Sequence, residues 1–186
     1  MPLVGNTVNS LAGFPRITVM KRVHGFTLVE LMITLLLAAI ILSLGVPGFR
    51  DIVLNNRAAT QSNELVTALN LARSEAVKRG ARVSLCPSTD QASCTGGTQW
   101  EDGWIVFLDS GGAGAPAVDG APIRAWPGLA GNATLTGPAN IRFQPLGDVM
   151  AAGNFQHRMP NCGEDQGRDV TLNMAGRALV TRVDCP

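Results

Sequence analysis

Gly25-Phe26-Thr27-Leu28-Val29-Glu30 opens an apolar run that continues to Val46. From Phe26 to Val46 there are 21 residues, and Glu30 is the one ionisable side chain among them. As a helix rising ~1.5 Å per residue, the run crosses a hydrocarbon core of ~30 Å. A carboxylate within such a run costs about 2.5–3.5 kcal/mol even on insertion-based scales. The acid therefore asks for a partner. Basic Lys21 and Arg22 precede the run, and small Gly25 stands immediately before Phe26.

Downstream of the run, Pro47 and Gly48, with Gly45 before them, mark a kink or locally melted turn, since proline removes a backbone donor and clashes one turn back. Leu54, Ala58, Leu65, Leu69, Ala72 and Ala76 then recur at spacings of mostly three and four. They form one apolar stripe, with Arg57, Glu64, Arg73, Glu75, Lys78 and Arg79 off it. The stripe predicts a helix packed on a sheet. Gly80 follows Lys78 and Arg79 as a C-cap. Counted from Phe26 to Arg79, the helix would be about 80 Å long along its axis.

After Gly80 the apolar period changes to two, which reads as strands at 82–86 and 100–109. A turn-rich loop at 87–99 separates them. Gly-, Ala- and Pro-rich 110–122 reads as a mobile surface loop. Short strands are expected at 123–126, 133–136 and 141–144. A final hairpin pairs 170–173 with 177–183, turning at Ala175-Gly176, and loops dominate 145–168. Tyrosine is absent, so the core should be aliphatic with anchors such as Trp100, Trp104 and Phe107.

Charge is unevenly placed. Residues 47–82 hold six basic and three acidic side chains, whereas 83–186 hold six basic and ten acidic ones. An acidic distal domain argues against a broad phosphate-binding face, because nonspecific nucleic-acid affinity is mostly counterion release by Lys and Arg. Whether Arg124, Arg142, Arg158 and Arg168 gather in space is open at this level. Cys86, Cys94, Cys162 and Cys185 all lie beyond the apolar run. Export past a basic leader that stays cytoplasmic places them in an oxidising compartment. Three pairings are possible, and proximity in the chain favours Cys86–Cys94 with Cys162–Cys185. A zinc site is disfavoured, with two histidines in the chain and His24 in the leader.

No catalytic constellation is visible. His157 sits in a loop-like stretch and reads as a solvated side chain. Glu101 and Asp102 are neighbours that a strand would point to opposite faces. The Gly111-Gly112-Ala113-Gly114 stretch lacks the context of a phosphate loop. The chain is expected not to be an enzyme, and to need no cofactor or metal.

The hexapeptide with its basic approach and unbroken apolar run resembles the class III signal of type IV pilins and type II secretion pseudopilins. That resemblance implies a cut between Gly25 and Phe26 by an inner-membrane prepilin peptidase, and N-methylation of the new Phe26 terminus. It also implies that Glu30 meets the amine of a neighbouring subunit as helices gather, which suits an acid in low dielectric. A Sec signal peptide fits less well, because the apolar run is too long and no Ala-x-Ala site follows it. Met20 reads as the true start, since 20–25 alone would make a complete leader.

The Cys86-Pro87 loop, the run Trp100-x-x-Gly103-Trp104-Ile105-Val106-Phe107 and the terminal Gly176-Arg177 hairpin resemble the GspH/FimT branch of minor pilins and pseudopilins. The resemblance implies an α+β, pilin-like fold, with a long N-terminal helix packed on antiparallel β-sheets. Its expected parts are a leader over 1–25, a transmembrane and filament-core segment over 26–46, an amphipathic continuation over 47–80, and a β-rich periplasmic domain over 81–186. Expected partners are the peptidase, other major and minor pilins or pseudopilins, and the inner membrane. Some relatives bind DNA through a terminal Gly-Arg-x-Arg. Here Gly176-Arg177-Ala178-Leu179 keeps the first arginine and has leucine at the second, with Arg182 five residues after Arg177. The implied function is a minor pilin that enters or primes a type IV pilus. A DNA-binding minor pilin using Arg177 and Arg182, and a type II secretion pseudopilin, are the alternatives.

Overall fold

The computed structural model describes residues 25–112 and 114–185. The expected leader, Gly25 apart, lies outside the described residues. One helix, α1 (Leu28–Arg79), is followed by eight strands: β1 (Val83–Pro87), β2 (Gly103–Asp109), β3 (Val118–Pro127), β4 (Thr134–Thr136), β5 (Ile141–Phe143), β6 (Gly153–Arg158), β7 (Gly167–Leu172) and β8 (Ala178–Val183). The chain divides into two compact units at Leu42/Ser43. The first holds the apolar start of α1. The second holds the rest of the helix and both sheets.

Helix α1 starts at Thr27, whose Oγ1 accepts the Glu30 backbone N–H at 3.2 Å. That bond satisfies one of the donors a helix start leaves unpaired. The other end closes as a Schellman motif. Ala81 N donates to Ala76 O, Gly80 N donates to Val77 O, and Gly80 takes the left-handed φ of +59° that the motif needs. Glu75 adds an i,i+4 bond from Arg79 at 2.5 Å. The melted turn expected at Pro47 is absent, because helical backbone runs through residues 45–48. A single missing donor in a long helix is not enough to interrupt it.

In the second unit, Leu65, Ala68, Leu69, Ala72 and Ala76 are fully or almost fully buried, as the apolar stripe requires. They share one core with residues of two four-stranded antiparallel sheets, ordered β3-β2-β1-β5 and β4-β6-β7-β8. Strand β1 is central and buried along its whole length, so its side chains are covered on both faces. Four aromatic rings tie the sheets together. Phe155 of β6 meets Trp100 edge-on at 5.0 Å, Trp100 lies 6.5 Å from Trp104, and Trp104 stacks on Trp126 of β3 at 6.1 Å. Trp100 also donates Nε1–H to Pro138 O at 2.9 Å and its backbone N–H to Leu135 O at 2.7 Å. Both disulfides join neighbours in the chain: Cys86 to Cys94 and Cys162 to Cys185. Each closes a short loop, worth about 2–4 kcal/mol by restricting the unfolded chain.

Several expectations are corrected here. Strand β6 runs through 153–158, where loops were expected, and His157 is a fully buried residue within it. Strand β3 starts at Val118, inside the expected mobile loop, and breaks register around Gly120 and Pro122. Glu101 and Asp102 occupy the turn before β2 rather than the strand. Gly111, Gly112, Gly114 and Ala117 of this loop are held rather than loose. Asp109 accepts the backbone N–H groups of Gly111 and Ala117, and Arg142 donates to the carbonyls of Gly111, Gly112 and Gly114.

Candidate functional site

The first candidate site is the start of α1. Residues 25–43 are all exposed in the isolated chain, including Phe26, Leu28, Leu31, Leu35, Ile40 and Leu42. Helix α1 is long and apolar enough, by length and composition, to cross a membrane. An apolar surface left bare along many turns marks a membrane or partner site. Glu30 lies in the first turn of this surface, where the positive end of the helix dipole favours a carboxylate. Thr27, which caps this helix start, is a residue that sequence reasoning missed. The Thr-x-x-Glu spacing of a capping box, at 27 and 30, was the available signal.

The second candidate was a basic patch, and the arginines do not make one. Arg142 is buried, with Nε 2.6 Å from Asp109 Oδ2. Arg168 is buried and donates to the carbonyls of Asp165 and Gly167 and to Asn55 Oδ1. Arg158 pairs with Asp169 at 2.8 Å. Arg124 lies 4.7 Å over the Trp126 ring. Arg177 is exposed beside the last hairpin turn, where Gly176 N donates to Asn173 O and Gly176 has φ +72°. Leu179, at the second arginine position of the terminal motif, is 63% exposed. Arg182 is also exposed, but an odd separation of five puts it on the face opposite Arg177's in strand geometry.

Buried polar groups join the helix to the second sheet. Gln61 donates Nε2–H to Ala130 O at 2.8 Å, so its Oε1 accepts from His157 Nε2–H at 2.7 Å. His157 is thereby the Nε2–H tautomer, and its buried Nδ1 has no partner among the described residues. Burial, and then the charges of Arg168 and Arg158, push His157 down to about 4 from the usual 6.5. The unfolded chain thus binds more protons than the folded one between these values. The histidine's contribution is complete above pH 6.5 and is lost as pH falls towards 4, amounting to about 3 kcal/mol. Thermal unfolding of the full chain in detergent should show this loss, and His157→Gln should flatten the profile over that interval. An unchanged profile in the variant would assign the acid sensitivity elsewhere.

Among the described residues, no group of three or more His, Cys, Asp or Glu side chains could hold a metal ion.

A long helix, apolar at its start and packed further on against two antiparallel sheets, defines a pilin-like protein. Two crystal structures of the type IV minor pilin FimU from Pseudomonas aeruginosa strain PAO1 share the fold. One, in space group P21, has a TM-score of 0.53 at 23% identity and covers 68% of this chain and 89% of that one. The other, in space group P65, has a TM-score of 0.50 at 23% identity, covering 66% and 91%. The family model for type II transport protein GspH matches residues 61–176, and the chain belongs to that family. The prokaryotic N-terminal methylation motif matches residues 20–46. Among curated proteins, none matches the chain.

Proposed function

We propose that this chain is a minor pilin that enters, or primes assembly of, a type IV pilus, and that it acts by association rather than catalysis. The observation that carries this is the bare apolar start of α1 with Glu30 in its first turn. Before assembly, residues 26–46 anchor the chain in the inner membrane, with Lys21 and Arg22 on the cytoplasmic side. The two sheets and both disulfides then lie in the periplasm, where such bonds persist. Prepilin peptidase cuts between Gly25 and Phe26 and methylates Phe26. In the bundle, the Phe26 amine of one subunit neutralises Glu30 of another.

Processing is tested by replacing Gly25 with a bulky residue such as phenylalanine. The small residue before the cut leaves room for the peptide to enter an active site. The variant should accumulate as uncut precursor in the membrane, seen as slower migration on an immunoblot. Wild-type migration of the variant would remove Gly25 from the cleavage site.

A second reading is a type II secretion pseudopilin, favoured by the description of the family model over 61–176. Recovery of the chain from sheared pili supports the first reading, and recovery only with secretion components supports the second. DNA capture is weaker, because Arg142 and Arg168 are buried and Arg158 is paired with Asp169.

A further inference from the structure

Each sheet has two edge strands, and three of the four are short or broken, which discourages further pairing, whereas the guard on β8 is the charge of Arg182. Strands β4 and β5 are three residues long. Strand β3 contains Gly120 and Pro122 and breaks register there. Strand β8 is different. Its six residues, Ala178-Leu179-Val180-Thr181-Arg182-Val183, contain no glycine or proline, and three are β-branched. It pairs with β7 in continuous register and has no described strand on its other side.

The hairpin fixes which backbone groups face outward. Asn173 N donates to Arg177 O, so that pair is a hydrogen-bonded one. Hydrogen-bonded and non-hydrogen-bonded pairs alternate along an antiparallel ladder. Leu179, Thr181 and Val183 therefore bond to β7, while Ala178, Val180 and Arg182 turn their N–H and C=O groups to the open edge.

Charge says what the edge would accept. Arg182 stands directly across from Arg168 in the β7–β8 register. Like charges directly opposite each other are destabilising. Arg168 is buried and held by carbonyl and amide oxygens, and neither arginine forms an ion pair with a carboxylate among the described residues. Burial and Arg182 lower the Arg168 pKa, while Asp165 offsets them only in part.

We propose that the open edge of β8 takes up an extended strand from a partner subunit, and that this strand carries a carboxylate that meets Arg182. Main-chain hydrogen bonds to Ala178, Val180 and Arg182 supply the attachment. An apolar side chain of the incoming strand covers Leu179 on the outer face. The carboxylate relieves the cross-strand repulsion between the two arginines. This names a kind of partner for the assembled protein and rests on the assembly reading.

The test places a benzophenone amino acid at position 179 of the full chain in cells that assemble the filament. A second chain carries it at Thr136, on the far edge of the same sheet, as control. Photolysis should join position 179, and not 136, to a different subunit, at a segment holding Asp or Glu within two residues of the joined site. Arg182→Pro removes one outward N–H while leaving the bonds of Thr181 and Val183 to β7. Arg182→Glu reverses the charge at an exposed position without touching the backbone. Each should cut the yield by about tenfold or more, while Arg182→Lys keeps most of it. Disulfide formation and protease resistance report that the variants fold, and Arg182→Glu decides the matter if the proline variant does not. Yield unchanged in Arg182→Glu, attachment to a second copy of this chain, attachment to a segment without acids, or no attachment in a chain that assembles normally would each overturn strand addition. The last of these leaves the assembly reading standing.

Discussion

Glu30→Ala should be cut normally between Gly25 and Phe26 and yet fail to enter the filament. Removing the carboxylate spares the precursor an insertion cost of about 2.5–3.5 kcal/mol, so membrane residence should not suffer. The helix start also survives, because Thr27 Oγ1 accepts the backbone N–H of residue 30, which alanine retains. What alanine loses at the helix dipole is about 0.3–1 kcal/mol. What it loses in the bundle is larger. Leaving one member of a buried ion pair unpaired costs about 3–5 kcal/mol. At ~1.4 kcal/mol per factor of ten, incorporation should fall about a hundredfold or more. Glu30→Gln keeps the shape and loses the charge, so it should fail in the same way. Sheared filaments probed for this subunit, alongside membranes probed for the processed form, separate assembly from cleavage. Filaments containing Glu30→Gln at the wild-type level would show that neutralisation of the Phe26 amine is not what drives docking.

The second large effect is expected far from the helix start, at the buried pair of Asp109 and Arg142. Asp109 Oδ2 accepts from Arg142 Nε at 2.6 Å and from Ser84 Oγ at 2.8 Å. Its Oδ1 accepts from the backbones of Gly111 and Ala117 at 2.9 and 3.0 Å. Arg142 spends its remaining donors on carbonyls of the 110–117 loop. Asp109→Ala removes the carboxylate and leaves a guanidinium in the interior, which should cost about 3–5 kcal/mol. Replacing both, as Asp109→Leu with Arg142→Met, should recover much of that loss, since a buried pair is often worth little against apolar packing. Denaturant unfolding of the two variants and wild type checks the order. A single variant as stable as wild type would mean that the loop does not depend on the pair.

Acid should act on this site in a window of its own. Burial raises the Asp109 pKa, but the hydrogen bonds from Ala117, Ser84, Arg142 and Gly111 outweigh it and hold the carboxyl below its usual value. Its contribution is present above the unfolded carboxylate pKa and is lost as pH falls through the lower folded one. That places it below the interval in which His157 acts.

What was legible in the sequence was local. Helix α1 shows in its apolar run, in the stripe from Leu54 to Ala76 and in the stop at Gly80. Strand β2 and the last hairpin show in period-two patterns closed by turn residues. The illegible parts depend on residues distant in the chain. His157 looked like a loop residue because its partner, Gln61, lies 96 positions away. The glycine-rich loop looked mobile because Arg142, which gathers its carbonyls, lies about 30 residues downstream. Strand β6 alternates Phe155 and His157 with Asn154 and Gln156, and a buried histidine does not register as apolar in a periodicity count. At Pro47 the melted turn, one of the two outcomes expected there, is absent, since helical backbone runs through residues 45–48. At the candidate site, Glu30 stood out as a lone acid, whereas Thr27 was passed over as one more uncharged residue.

The most direct measurement is the mass of the N-terminal peptide of this subunit taken from assembled filaments. The account predicts a chain that begins at Phe26 and carries a methyl group on its terminal nitrogen. A chain that keeps Lys21 and Arg22, or that begins at any residue other than Phe26, would leave Glu30 without the amine it is proposed to meet and would contradict the account.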